Sequence, residues 1–216
     1  MNVETKYICP NCKHEQQINT YPIINLQSDK ELYEDLFSLN LFRIECPKCK
    51  KTSVIQYDCL VVDMYKKYIV YLYTSNNLDE FNKNIDKLVD NYKDVLTELK
   101  HTRVVTSLNQ LLEKLLIFDY DLNDKIIELM KLGLYDKERL DKEIYKNVCF
   151  NKIDKDKLIF TCFNIFDNKV QPIDISVDIK YYNVIIDAIG GTVPSETSNF
   201  EYIDENWAKL NTKLEK

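Results

Sequence analysis

Glycine is almost missing, with three in 216 residues. A dinucleotide-binding turn needs three glycines within six positions, so no such fingerprint can be built here. Gly190-Gly191-Thr192 lacks the lysine and spacing of a Walker loop, and it follows a helical pattern where a phosphate loop would open one. Histidine is nearly as scarce: His14 and His101 are the only two, which leaves general acid–base catalysis few of its usual agents. Unbroken apolar stretches such as residues 115–118 and 184–186 fall far below the roughly 18 residues a membrane span needs. The N-terminus has no basic segment leading into an apolar run, so no secretory signal is expected and the expected compartment is the cytoplasm. An excess of basic charge is absent as well. Residues 1–75 carry 9 Lys/Arg against 9 Asp/Glu and residues 76–216 carry 20 against 26, so the second part supplies the net charge of −6. A polyanion is held chiefly by Lys and Arg, so this balance disfavours nucleic acid as a partner. Only Arg43, Lys48, Lys50 and Lys51 form a local basic group.

What is present is cysteine in a pattern. Cys9-Pro10-Asn11-Cys12 and Cys46-Pro47-Lys48-Cys49 place two thiols two residues apart, twice. Two intervening residues let both sulfurs face one ion, and proline after the first cysteine stiffens the turn. Four thiolates are the number a tetrahedral zinc site needs, so Cys9, Cys12, Cys46 and Cys49 are the expected ligands of one structural Zn²⁺. Iron in the same four-thiolate cage is the alternative that ligand type leaves open. A dithiol redox motif would set its first thiol at a helix N-terminus after a strand, whereas strand-like residues follow each motif here. The odd count of seven cysteines fits ligands plus free thiols in a reducing compartment. Cys59, Cys149 and Cys162 stand among apolar and β-branched neighbours and read as small core residues.

Tyr7-Ile8 leads into the first knuckle and Gln16-Gln17-Ile18 leaves it; Arg43-Ile44 and Ser53-Val54-Ile55 flank the second. Each is a strand, a thiol-bearing turn and a strand, half of a zinc ribbon. The first outgoing strand is expected to run through Ile18, Ile23, Ile24 and Leu26, with Pro22 at an edge or bulge. Ser28-Asp29-Lys30-Glu31 has capping-box form ahead of a helix carrying Leu32, Leu36 and Leu39. Residues 52–62 and 68–73 read as strands. From 78 to 99 apolar residues step by three and four, which predicts an amphipathic helix. A second capping box, Ser107 to Gln110, precedes another helix. A third is expected over 122–132, stopped by Gly133, and a fourth over 137–146. Residues 148–153, 158–165 and 170–177 predict a three-stranded antiparallel meander, with turns at 154–157 and at Asp167-Asn168. A short helix over 179–189, capped by Gly190, and a last one begun by Asp204 and anchored by Trp207 close the chain.

Other candidates have plainer readings. His14 lies two residues past Cys12, but four cysteines already fill a tetrahedral site. His101 reads as a connector between two helices. Asp119, Asp121, Asp124 and Glu128 could be drawn as a hard-metal or hydrolytic site. Asp121 and Asp124 are better explained as helix starters, and Glu128 as part of a solvated face. The many tyrosines suit a core more than a stacking platform.

The two C-P-x-C motifs, with Leu41-Phe42-Arg43-Ile44 before the second and Met64-Tyr65-Lys66-Lys67-Tyr68 after it, resemble the CpXC family of bacteria and archaea. The likeness continues toward its longer members through Glu113-Lys114-Leu115-Leu116-Ile117-Phe118-Asp119, residues 126–130, the later strands, and Tyr202-Ile203-Asp204 before Trp207. The resemblance implies a fold and a metal; the family brings no established activity. Such knuckles often have glycine after the second cysteine, where Lys13 and Lys50 stand. A left-handed backbone there would cost of order 1 kcal/mol.

These readings predict an α+β protein with a zinc-ribbon-like domain over 1–75. Residues 76–216 are expected to form an α+β region of helices, a meander and a C-terminal helix. No catalytic set is expected. The partner is expected to be another protein, with nucleic-acid binding, a hydrolytic enzyme and a rubredoxin-like electron carrier as the alternatives.

Overall fold

The computed structural model describes residues 2–75, 78–137, 145–166, 169–189, 191, 193–197 and 199–212. These form a mixed α+β protein with six α-helices and four small sheets. The chain falls into two compact units, Met1–Leu111 with Thr197–Phe200, and Leu112–Glu196 with Glu201–Lys216.

In the first unit, β1 (Val3–Ile8) pairs antiparallel with β2 (Glu15–Thr20), and β4 (Arg43–Glu45) with β5 (Thr52–Val54). A four-stranded sheet has the order β3 (Ile23–Asn25), β6 (Cys59–Asp63), β7 (Tyr68–Leu72), β8 (His101–Val105). Its outer pairs are parallel and its central pair antiparallel, with Ile24 opposite Val61, Val61 opposite Val70, and Val70 opposite Arg103. Between β6 and β7 the Asp63 carboxylate accepts from the Tyr65 and Lys66 amides at 2.8 Å each, and Lys67 closes the turn at φ 62°. The long helix α2 (Leu78–Leu96) lays Phe81, Ile85, Leu88, Val89 and Tyr92 on a core of Leu60, Ile69, Tyr71, Tyr73 and Val104. Parallel neighbours need a crossover, and α2 is the one that joins β7 to β8.

Several local expectations are corrected here. The strand expected through Leu26 breaks at Tyr21-Pro22: β2 ends at Thr20, and β3 joins another sheet, where the Pro22 carbonyl accepts from the Leu60 amide at 2.8 Å. Ser28 does not cap a helix, because its hydroxyl bonds back to the Asn25 carbonyl. A 3-10 turn at Lys30–Leu32 follows Asp29 instead, then the short α1 (Tyr33–Phe37). The strand expected over 52–62 is two, β5 and β6, in different sheets. Helix α2 leaves helical geometry at Tyr92 (φ −121°, ψ 18°) and ends at Leu96. His101 is no connector; it begins β8. Strand β8, which lies beyond residue 75, pairs with β7 within the first unit.

Helix α3 (Leu108–Asp119) has its first turn in the first unit and the rest in the second; it starts with Ser107 accepting from the Gln110 amide at 3.3 Å, while Gln110 reaches back to the Thr106 amide at 2.9 Å. Helix α4 (Asp124–Lys137) passes straight through Gly133, where a side chain would meet open space, so that glycine is no stop. The meander forms as expected: β9 (Tyr145–Asp154), β10 (Lys157–Phe166) and β11 (Lys169–Asp178), in the order β11-β10-β9. Lys155, at φ 56°, makes the first turn. The helix expected over 137–146 is not seen at its ends, since Lys137 closes α4 and Tyr145 opens β9; residues 138–144 lie outside the described residues. Asp167-Asn168, Gly190 and Thr192 do too. Helix α5 (Ile179–Ile189) follows, and α6 (Glu205–Asn211) begins with Asp204 accepting from the Trp207 amide at 2.9 Å, as its cap pattern predicts. Phe150 sits edge-on to both Tyr120 and Phe160, with centroids 5.8 and 6.0 Å away.

Candidate metal centre

Two hairpins bring the thiols together, and both are built the same way. In the first, the Cys9 amide donates to the His14 carbonyl and the Lys13 amide to the Cys9 carbonyl, each at 2.9 Å. In the second, the Cys46 amide donates to the Lys51 carbonyl at 3.0 Å and the Lys50 amide to the Cys46 carbonyl at 2.8 Å. Lys13 and Lys50 both take φ 59°, so the left-handed residue after each second cysteine is present without glycine. Cys9 and Cys46 are each 1% exposed, whereas Cys12 and Cys49 are half-buried.

The sulfurs meet across the hairpins. Cys9 Sγ lies 3.7 Å from Cys49 Sγ, and Cys12 Sγ lies 3.6 Å from Cys46 Sγ. All four sulfurs lie within 4.8 Å of one another. A tetrahedron with metal–sulfur bonds of about 2.3 Å has edges of about 3.8 Å. Disulfides would need contacts near 2.05 Å, and all four cysteines are free thiols here. The four cysteines fit a single metal ion.

Backbone amides aim at the sulfurs. The Cys12 amide, then that of Asn11, holds the Cys9 thiol below its ordinary value. The Lys51 amide and the Asn11 side chain lower Cys49 to about 6. The His14 amide pulls Cys12 down in the same way, but desolvation and three neighbouring sulfurs outweigh it and push that thiol up to about 12. Four negative sulfurs cannot sit together without a cation, and the ligand form of cysteine is the thiolate.

The remaining candidates separate. His14 gives its carbonyl to the first turn and is not in the sulfur group. Of the basic group, Lys51 Nζ donates to Asn11 Oδ1 at 2.9 Å and Lys50 faces Glu45 at 3.6 Å, while Arg43 and Lys48 are exposed. Cys59 and Cys162 are buried and Cys149 half-buried; burial pushes Cys59 and Cys149 up to about 12. The acidic group splits, with Asp119 and Asp121 exposed, Asp124 and Glu128 buried. Glu128 is therefore not on a solvated face, and both buried carboxylates meet Lys114.

A family model described as CpXC protein matches residues 8–131, more than half of the chain. The chain belongs to the CpXC family. No curated protein and no solved structure matches it. The CpXC match takes in both cysteine pairs and continues through α3 and into α4.

What sequence reasoning missed lies in those two helices. Glu113, Lys114 and Lys125 are all buried there, at 0–3% exposed, as is Arg103 on β8. The signal was there in part: Asp124, Glu128 and Lys131 fall on one narrow face of a helix, while Ile126, Ile127, Leu129 and Met130 occupy most of the rest. A helix apolar over most of its surface is largely enclosed, and its charges must then find partners inside.

Proposed function

We propose that Cys9, Cys12, Cys46 and Cys49 hold one structural zinc ion in a zinc-ribbon-like fold. In this reading the protein is a non-enzymatic cytoplasmic interaction module whose partner is another protein. The observation that supports it is the four-sulfur group with tetrahedral edge lengths. Four protein ligands leave no open position for a substrate or water, which distinguishes a structural site from a catalytic one. Reduced thiols suit a reducing compartment. Two-stranded hairpins are marginal alone, and a structural zinc site supplies on the order of 10 kcal/mol of folding free energy. A partner that is a protein agrees with the acidic balance of the chain, which would repel nucleic acid.

The test is metal analysis of the purified protein, followed by chelation. One zinc per chain, with loss of the protected amides of β1, β2, β4 and β5 on its removal, is the expected result. Hairpins that keep their amide protection with the metal gone and all four thiols titratable would sink the structural role.

A further inference from the structure

The two cysteine hairpins border an open groove whose lining holds no cysteine. Its volume is about 490 Å³, and residues 16–19 of β2 and 43–45 of β4 line it. Consecutive side chains of a strand point to opposite faces, so a groove touched by four in a row runs along the strand's edge. The hydrogen-bonding alternation says which edge groups are free. In the first hairpin Cys9 and His14 form a bonded pair, and stepping from it turns the amides and carbonyls of Gln17 and Asn19 away from β1. In the second, the Cys46 amide bonds to Lys51 and the Ile55 amide to the Phe42 carbonyl at 2.8 Å. Arg43 and Glu45 between them therefore turn their backbone groups away from β5. Gln16 agrees with this direction, since its Nε2 reaches from β2 to the Glu45 carbonyl at 3.5 Å. The other outward backbone groups of these four residues have no partner among the described residues.

We propose that this groove binds an extended peptide segment of a partner protein, which pairs with the free edges of β2 and β4 and sets an acidic side chain on Arg43. This rests on the reading that the partner is a protein, and it names the part of that partner which is held. Free main-chain donors and acceptors along an edge are matched by another main chain in extended form. A small-molecule cleft is lined mostly by apolar and aromatic side chains. Here Tyr21 is the one aromatic ring on a wall that carries the amides of Gln16, Gln17, Asn19 and Asn40. Three charged groups line the groove, Asp35, Arg43 and Glu45. The Asn40 side chain donates to Asp35 at 3.3 Å, and Lys50 faces Glu45 at 3.6 Å. The exposed Arg43 guanidinium has no partner among the described residues. Its planar fork matches a carboxylate through two parallel hydrogen bonds.

Strand addition and attraction to surface charge leave different marks. An added strand protects the outward amides of Gln17, Asn19, Arg43 and Glu45 from hydrogen exchange. The amides of Ile18 and Ile44 already bond within their hairpins and change little. An N-methyl group on the peptide removes one main-chain donor and alters no charge, so it weakens strand pairing and spares a purely ionic contact.

The probe is a displayed library of short random peptides, selected on the full chain. The expected result is a set of binders that share an acidic position and protect those four amides. Their affinity is expected to fall about tenfold with Arg43→Gln, and about tenfold when a pairing amide of the peptide is N-methylated. Both losses are required, and the absence of either overturns the proposal. A library that yields no binder, or binders that protect amides elsewhere, overturns it too. So does a single-stranded oligonucleotide that protects the same four amides and displaces the selected peptides. Should Arg43→Gln not fold, the N-methyl comparison and the map of protected amides on the unaltered protein decide the matter. The underlying reading fails separately. A native protein that binds equally well with the selected peptide in the groove overturns this site alone and leaves a protein partner in place.

Discussion

Lys13 and Lys50 stand where each knuckle turns left-handed, both at φ 59°. A side chain in that conformation costs roughly 1–2 kcal/mol, and glycine would remove the penalty at the expense of a more disordered unfolded chain. Lys13→Gly and Lys50→Gly are therefore each expected to leave stability unchanged or raise it by up to about 1 kcal/mol, read from denaturant midpoints at fixed zinc. Lys50→Gly also removes the exposed contact to Glu45, which contributes little. The sulfurs respond differently. Cys9→Ser or Cys46→Ser is expected to abolish stoichiometric zinc in metal analysis. Cys162→Ser is expected to leave the metal content unchanged, since that thiol lies in the meander. A thiol reagent at about pH 8 should leave Cys59 untouched in the native protein, because its buried thiol is pushed up to about 12 and almost none of it is thiolate there.

At the scale of elements, the α3–α4 pair concentrates risk. Lys114 is a buried cation shared by Asp124, which is 0% exposed, and Glu128. Lys114→Met would take that charge from both carboxyl groups, with an expected loss of about 3–5 kcal/mol in equilibrium unfolding. Asp204→Ala removes only the cap of α6 and should cost about 1 kcal/mol. These two helices also show what the sequence made legible. The caps at Ser107 and Asp204, the amphipathic α2 and the three strands of the meander follow from local patterns and were readable. Strand β8 was not, although Thr102, Val104 and Val105 are β-branched, because His101 and Arg103 made five residues between helices look like a polar link. Its place is set by a parallel pairing with β7, thirty residues away, and a non-local partner leaves no local mark. The buried face of α4 was misread for a related reason: charged residues at helical spacing look solvated until the element packed against them is known. At the cysteine site the two thiol pairs that come together were legible, because the spacing within each knuckle is local. The amides that tune the thiols were not, since they depend on the turn's geometry.

At the scale of the whole molecule, one tryptophan makes a convenient reporter. Trp207 lies in α6, over the buried Lys125 ammonium at 5.9 Å from the ring centre. Chelation of the bound metal is expected to erase amide protection in the two cysteine hairpins while Trp207 emission stays as it was. Emission that moves in step with metal release would show that the ion supports more than its own unit. No helix among the described residues is long and apolar enough to cross a membrane.

Thr102 is 1% exposed, and its hydroxyl donates to the Asn199 carbonyl at 2.6 Å. Phe200 likewise sets its edge against Tyr71, 6.4 Å between centroids. The acceptor arrives from 97 residues downstream of Thr102, and the ring from farther still beyond Tyr71, in a four-residue stretch counted with the first unit while its flanks belong to the second. No single scission can therefore yield two intact halves. A gene fragment stopping at Leu111 would strand a hydroxyl in the dark, and supplying residues 193–201 as a separate peptide is the natural way to bring it back.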